Sequence, residues 1–466
     1  MTGGRAPPVL QPALGAARTP PGEGEATLAV AGAAFRRRIA MFFLTFALTL
    51  NFVDRQIVNI LAEPIREELQ LADWQIGLMS GLAFALLYSV AGIPLARWAD
   101  RGNRPKIMAF SVLVWSGFTI ACSIARSFPQ LLVGRVGVGI GEAGLTPAAN
   151  SLIVDYYPPE RRASALSLYY LGVPLGTLAG MALGGLVADA YGWRTAFLVA
   201  GIPGVVLAPF LLLVLREPRK AHAALLRTAP PGALATVRTL LAVRTYRLIV
   251  IATALQAAVG YGFGPFIASF FIRNHGPEIV AMATQAGMGV SGFLGLTLGL
   301  STGLAGAAGV WLGGLLADRF GRSDVRAYVT IPAFASLAAL PCYAVLFSID
   351  SGALALAGLA LPNMLGAMWM GPVHSTQQSV SPPEIRGGAT ALFLLVLNLV
   401  GVGLGPLFVG TASDAISWQF DQDSGRSLRA ALILTSMVAP FSAFLFWRAR
   451  SSIGRDMTRW KAVNPV

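Results

Sequence analysis

Four ionisable residues stand inside segments otherwise fit only for hydrocarbon. Asp54 and Arg55 are adjacent, about 16 residues into the first long apolar stretch, which by helical rise puts them in its second half. Arg135 and Glu142 share a later apolar stretch, seven positions apart, which is two helical turns along nearly one face. Each such charge costs about 2.5–3.5 kcal/mol at the centre of a membrane. Two acids set against two arginines form a neutral group, so the residues are expected to meet. A buried carboxyl group whose cationic neighbour can change is a proton carrier. Asp54 and Glu142 are therefore expected to take up and release protons, with Arg55 and Arg135 as exchangeable counter-ions. The arginines also suit an anionic headgroup, through charge-assisted hydrogen bonds. The competing reading is a fixed ion-pair cluster that pins one helix to another.

The elements holding these residues follow from composition. The chain has 466 residues, 55% hydrophobic and 12% charged. Soluble domains carry about 25% charged residues. A spanning helix needs about 20 mainly apolar residues, because lipid offers the backbone no partners. Twelve segments qualify, at roughly 37–60, 75–97, 106–126, 130–153, 163–188, 194–215, 248–272, 287–316, 327–348, 352–376, 387–411 and 429–448. The sequence thus predicts an all-α integral membrane fold with two six-helix bundles, 35–215 and 248–449, and a cytoplasmic linker at 216–247. Residues 1–34 read as a disordered cytoplasmic tail and 450–466 as a second cytoplasmic tail.

Charge placement sets the expected orientation. With the amino terminus inside, about 27 of the 35 Lys and Arg fall on cytoplasmic tails and loops, as the positive-inside rule requires. Glu63, Glu67, Glu68, Asp73, Asp414, Asp421 and Asp423 read as acids of the outer loops. The net charge of +13 is then a consequence of topology and anionic inner-leaflet lipid, and needs no nucleic acid. Both termini are expected in the cytoplasm of a multi-pass protein of the inner or plasma membrane.

The halves repeat. Asp318-Arg319-Phe320-Gly321-Arg322 follows the eighth segment as Asp100-Arg101-Gly102-Asn103-Arg104 follows the second. The stretch from Gly314 to Arg322 resembles the loop signature of the major facilitator superfamily. The first copy departs from it, with Ala96 and Asn103 in place of glycines. That copy resembles the Spinster-like variant, as do Asn51-Phe52-Val53-Asp54-Arg55 and the run from Arg135 through Gly137, Gly139 and Gly141 to Glu142 and Ala143. The resemblance implies alternating access about a central cavity, a functional monomer, and proton-coupled or facilitated movement of an amphipathic lipid such as a lysophospholipid or sphingosine phosphate. It also implies that Asp100, Arg101, Arg104, Asp318, Arg319 and Arg322 gate the cavity by bracing the inner faces of the halves. Arg104 and Lys106 are expected to touch lipid headgroups as well.

Other features are weaker. Gly172, Gly176, Gly180 and Gly184 make a flat ridge for close helix packing, with Gly401, Gly403 and Gly405 as its mirror. Tyr88, Asn150, Tyr169, His374, Gln377 and Asn398 are polar groups expected to line the cavity, since polar side chains in apolar spans face the bundle interior. Cys122 and Cys342 read as apolar fillers. No His, Cys and carboxylate cluster has metal spacing, and no phosphate-binding loop or nucleophile elbow appears. The expected protein is no enzyme and takes no cofactor or metal. It is a secondary transporter for an amphipathic lipid or other organic anion. A proton-driven antiporter of drugs or hydrophobic cations is the rival within transporters, and a non-transporting receptor or scaffold the rival outside them.

Overall fold

The computed structural model of the chain describes residues 23–218 and 233–461. Ten helical stretches among them are long and apolar enough to cross a membrane. One of these, Ser164–Val214, has 51 residues. As a straight helix it would be about 77 Å long, more than twice the hydrocarbon thickness. The chain turns back at Gly192 (φ 83°, ψ 163°), so this stretch supplies two spans. A further span is divided at Ala143 and Gly144 into Phe128–Glu142 and Leu145–Tyr156. The total is the expected twelve.

We number them α1 (Glu23–Leu69), α2 (73–101), α3 (Arg104–Ser123), α4 (128–156), α5 (159–191), α6 (193–214), α7 (Arg244–Gln285), α8 (290–321), α9 (Ala327–Ser348), α10 (352–379), α11 (386–420) and α12 (424–449). Helix α1 begins at Glu23, inside the expected tail, because an Ala-rich run of good helix formers precedes the membrane edge. Residues 1–22 of that tail, 219–232 of the linker and 462–466 lie outside the described residues. The linker ends in a short helix, Ala233–Ala242.

The backbone at Gly192 is one that only glycine adopts without strain. A Cβ there would meet nothing within 4 Å. Gly192→Val should therefore destabilise by about 1–3 kcal/mol through the backbone alone. Thermal unfolding in detergent checks this, and an unchanged midpoint would contradict the assigned turn.

Packing within each half rests on small residues. A Cβ added at Gly172, Gly176 or Gly180 would lie 2.4–2.8 Å from the carbonyls of Thr45, Thr49 and Val53, so the α5 ridge seats on α1. Gly405 meets the carbonyl of Ala258 at 2.5 Å in the same way, seating α11 on α7. Both ridges thus pack inside their own half.

The core is divided unevenly along the membrane normal. We call the end where α1 starts and α12 finishes the near end, and the opposite one the far end. At the far end a single apolar cluster joins both halves, with Ile57, Leu61 and Met79 packed with Phe263, Phe266 and Phe270. Towards the near end each half keeps a core of its own, around Trp115 and Leu152 in the first and Tyr246 and Phe393 in the second. The seams between the halves follow the same gradient. Along α5 and α8, an added Cβ at Gly185 or Gly295 would lie 2.1 Å from the facing backbone. At Gly299 the nearest atom is at 3.2 Å, and at Gly303 and Gly306 nothing lies within 4 Å. Along α2 and α11 the approach loosens from 2.3 Å at Gly77 through 2.7 Å at Gly81, and Gly92 meets nothing. The halves touch at the far end and splay at the near end.

Helices α2, α8 and α11 each contain a π-helical stretch, Leu78–Leu82, Ser301–Ala305 and Leu397–Leu404. Such bulges leave the regular hydrogen-bond ladder locally. All three lie on helices that form the seams.

Candidate functional site

The four intramembrane charges do come together. Arg55 Nε donates to Glu142 Oε2 at 2.6 Å, joining α1 to α4. Arg135 NH1 reaches the backbone carbonyl of Asp54 at 3.4 Å. Asp54 and Glu142 are each 1% exposed and Arg135 is 2% exposed. Arg55 is the wet member, its side chain 21% exposed. Asp54 Oδ1, Arg135 Nε and Glu142 Oε1 are buried without a hydrogen-bond partner. The pairing is therefore unsaturated. One acid holds one arginine, and the other acid and arginine meet only through a backbone oxygen.

The regular helix explains the placement. Asn51 precedes Arg55 by one turn on the same face of α1, and both approach Glu142. On α4, Gly141 lets the backbone close on α3, where an added Cβ would lie 2.5 Å from the amide nitrogen of Trp115. The carboxylate of Glu142 is carried inward by that contact.

An aromatic wall surrounds the guanidinium of Arg55. Its Cζ lies 4.9 Å from the ring centres of Phe84 and Tyr88 and 5.3 Å from that of Phe52. Arg135 approaches Phe84 at 5.4 Å. Tyr88 was expected at the cavity. Phe52 and Phe84 were not, because an aromatic residue in an apolar span looks like ordinary core. From the second half Tyr261 faces Arg55 and Tyr88 while remaining 42% exposed, so it borders the space between the halves.

The remaining expected lining residues divide. Asn150 donates to the hydroxyl of Tyr170 at 2.9 Å, and Tyr170 is 43% exposed. Tyr169, by contrast, is fully buried in the first half's core. The helical turn aims the neighbouring tyrosine inward in its place. His374 sits against Trp369 and Phe393, with 5.1 Å between its ring and that of Phe393. Gln377 is closed off completely, its Oε1 taking a 3.4 Å bond from Thr390. Asn398 lies half-buried in the π-helical stretch of α11.

At the near end, Asp318 accepts a 2.9 Å bond from Tyr328 of its own half, and Asp318, Arg319 and Arg322 are exposed. The side chains of Asp100 and Arg101 lie outside the described residues. Arg104 is not at the headgroups as expected. It is fully buried, bonded to Asp155 at 2.6 Å, to Ser151 at 3.1 Å and to Glu217 at the start of the linker. Its donors are all turned inward by these acids.

The far end carries the polar contacts between halves, and here the sequence misled. Glu63, Asp73 and Asp414 are not loop acids. Arg273 of α7, only 6% exposed, binds Glu63 at 2.6 Å and Asp73 at 2.9 Å. Asp73 also takes a 2.7 Å bond from Ser413, and Arg66 adds longer contacts to both acids. Asp414 accepts from the backbone amides of Asp73 and Trp74, and Asp189 from those of Ser291 and Gly292. Asp423 does stay at the surface, where the amides of Gly425 and Arg426 hold its carboxyl below the usual carboxylate range.

Known proteins agree with this geometry. The pattern of the Major Facilitator Superfamily matches residues 44–406. An MFS-type efflux pump of Mycolicibacterium smegmatis is 34% identical over 417 residues, which is 88% of this chain and 91% of the relative. The sphingosine-1-phosphate transporter SPNS2 of Danio rerio is 26% identical, over 88% of this chain and 83% of its own. Among solved structures, a bacterial homolog of the human lysosomal transporter Spinster, inward-facing and unoccupied, superposes with a TM-score of 0.78 at 30% identity, covering 90% of this chain and 98% of its own. Twelve helices in two halves, a buried acid–arginine group inside the first half and these likenesses lead to one conclusion: the chain belongs to the major facilitator superfamily of membrane transporters, among its Spinster-like members.

Proposed function

We propose that this transporter exchanges protons for, or moves them with, an amphipathic organic anion, using Asp54 and Glu142 as proton carriers and Arg55 as the headgroup site. The observation that carries this reading is the unsaturated charge group beside an aromatic-walled space. Glu142 occupies Arg55 at 2.6 Å, and a substrate anion reaching Arg55 must compete with it. Displaced, Glu142 is a buried carboxylate without a cation, a state costing several kcal/mol that a proton relieves. Substrate binding and protonation are thereby linked. Asp54, which has no guanidinium bonded to its carboxylate, is the second proton carrier in this reading.

An apolar surface feature supports the lipid part of the reading. A cleft of 680 Å³ runs between α1, α5 and α8, walled by Phe42, Phe46, Leu175, Leu178, Leu183 and Leu296. Its surface suits an acyl chain. A lysophospholipid or a sphingosine-phosphate-like molecule joins the two features, an anionic head and a single tail. If the termini are cytoplasmic, as proposed, the splayed near end is the inward-open side; a functional monomer is part of the same proposal.

Proteoliposome uptake under an imposed proton gradient tests the reading. Asp54→Asn and Glu142→Gln should each abolish gradient-driven accumulation while leaving counterflow of labelled lysolipid measurable. Gradient-driven uptake at the wild-type level in both variants would reject the coupling role. The efflux pump among the relatives keeps a second reading in view, a proton antiporter of hydrophobic cations. Counterflow of a labelled cation instead of lysolipid would select it.

A further inference from the structure

The outer face of the second half carries a groove where two helices meet. It has a volume of 490 Å³ and runs between α7 and α12, with Leu255 on one wall and Val438, Phe441, Phe444 and Leu445 on the other. Small residues and one polar tie hold the helices together beneath it. Ser442 of α12 donates to the backbone carbonyl of Ala252 at 2.8 Å, and Ala439 and Ala443 are buried on the same helix. The large side chains of the wall stay outside, Phe441 67% and Phe444 56% exposed. The first half treats the same place differently. There α1 and α6, the symmetry mates of α7 and α12, are bridged by the stacked rings of Phe43 and Phe210, 6.1 Å apart. Among the described residues no ring pair joins α7 to α12.

Each wall ends at the near end in an arginine. On α7, Arg244, Leu248 and Leu255 recur at steps of four and seven residues and share one face. On α12, Phe441, Phe444 and Arg448 do so at steps of three and four. The guanidinium of Arg448 lies 5.6 Å from the ring centre of Phe444, a residue of the groove. Both arginines are exposed, and among the described residues neither pairs with a carboxylate. The acid closest to Arg448 along the chain is engaged elsewhere. Asp456 belongs to a short helix, Ile453–Lys461, docked on the start of α7. It is 8% exposed, and its carboxylate accepts the amide of Thr245 at 3.0 Å. Arg247 and Arg455, also exposed, add positive charge to the same corner.

The dimensions select the occupant. Arg244 and Leu255 are eleven residues apart, a rise of about 17 Å, and the hydrocarbon core is about 30 Å thick. The groove is thus one leaflet deep, with cations at the headgroup level and apolar walls below them. A phosphate of net negative charge satisfies two guanidinium groups through charge-assisted hydrogen bonds, and a fatty chain covers the exposed rings. A zwitterionic headgroup would set its own cation against the same arginines. We infer that this groove binds one anionic glycerophospholipid of the near-end leaflet, its phosphate on Arg244 and Arg448 and an acyl chain along Leu255, Phe441 and Phe444. The groove shares no residue with the cleft on α1, α5 and α8, so this lipid is a resident of the protein and not its cargo.

Native mass spectrometry of the full-length protein, titrated with phosphatidylglycerol or phosphatidylcholine of identical chains, tests the site. The first phosphatidylglycerol should bind about tenfold more tightly than the first phosphatidylcholine, as two arginines at the membrane surface would dictate. Arg244→Ala combined with Arg448→Ala should remove that preference and leave the phosphatidylcholine affinity unchanged. Leu255→Trp, which fills the groove, should weaken both lipids. Phe441→Ala, at a position too exposed to matter for folding, should weaken both in the same way and keeps the reading available where Leu255→Trp misfolds. Equal affinity for the two lipids, or a preference that survives the double arginine variant, would overturn the inference. So would a dimer peak in place of the lipid adduct, which would give the groove to a second copy of the chain.

Discussion

Arg55→Ala should abolish transport and lower stability together, and adding Glu142→Gln should restore the stability alone. Removing one partner of a buried ion pair costs about 3–5 kcal/mol, because the other charge is left without compensation. Glu142 is that other charge, and Asp54 sits one residue from the lost guanidinium, so no replacement cation is at hand but Arg135. Gln at position 142 removes the stranded charge and most of the cost. Under the proposed mechanism transport stays absent in the double variant, because the proposed headgroup site and one proposed proton carrier are both gone. Arg55→Lys should recover little, since a planar guanidinium both stacks on Phe52, Phe84 and Tyr88 and bonds a carboxylate, which an ammonium does not. The measurements are unfolding midpoints and lysolipid counterflow on the same preparations. Equal stability of Arg55→Ala and the double variant would show that Glu142 is not left uncompensated when Arg55 is removed.

The second large effect is expected at the far end. Arg273→Ala should convert the resting protein from near-end-open to far-end-open. Glu63 and Asp73 are almost completely buried, and Arg273 grips both with bonds of 2.6–2.9 Å. Without it, the two acids share Arg66, whose contacts are 3.2 Å and partly in water. The closed far end then holds uncompensated carboxylates that opening would hydrate. A loss of about 3 kcal/mol from the closed state moves the equilibrium by roughly a hundredfold. Labelling of a far-end cavity cysteine by an impermeant maleimide reads the change. The wild-type labelling rate should hardly vary with ionic strength, since the clamp is shielded from salt. A wild-type rate for Arg273→Ala would mean that the apolar cluster, not the clamp, holds the end closed.

Much of the fold was legible because hydrocarbon imposes one rule on every segment. The twelve spans, the duplicated halves and the meeting of Arg55 with Glu142 all follow from where charge is and is not tolerated. What escaped depends on partners far apart in sequence. Asp73 and Arg273 meet only in the folded protein, since 200 residues separate them and each looks like a loop charge in isolation. Asp189 is silent in the sequence because its partners are two backbone amides of the other half. Tyr169 and Tyr170 differ by a single helical step of about 100°, finer than the span boundaries could be drawn. Phe52 and Phe84 carry no polar atom to mark them.

The ring of aromatics around Arg55 has a consequence for selectivity. Such a ring is the usual receptacle for an organic cation, yet here the protein's own side chain already fills it, tethered by Glu142 at 2.6 Å. A positively charged visitor meets an internal competitor of the same sign that it cannot outnumber. Under the proposed mechanism a negatively charged one finds a prepolarised socket, and draws Arg55 away from Glu142 without having to empty the ring.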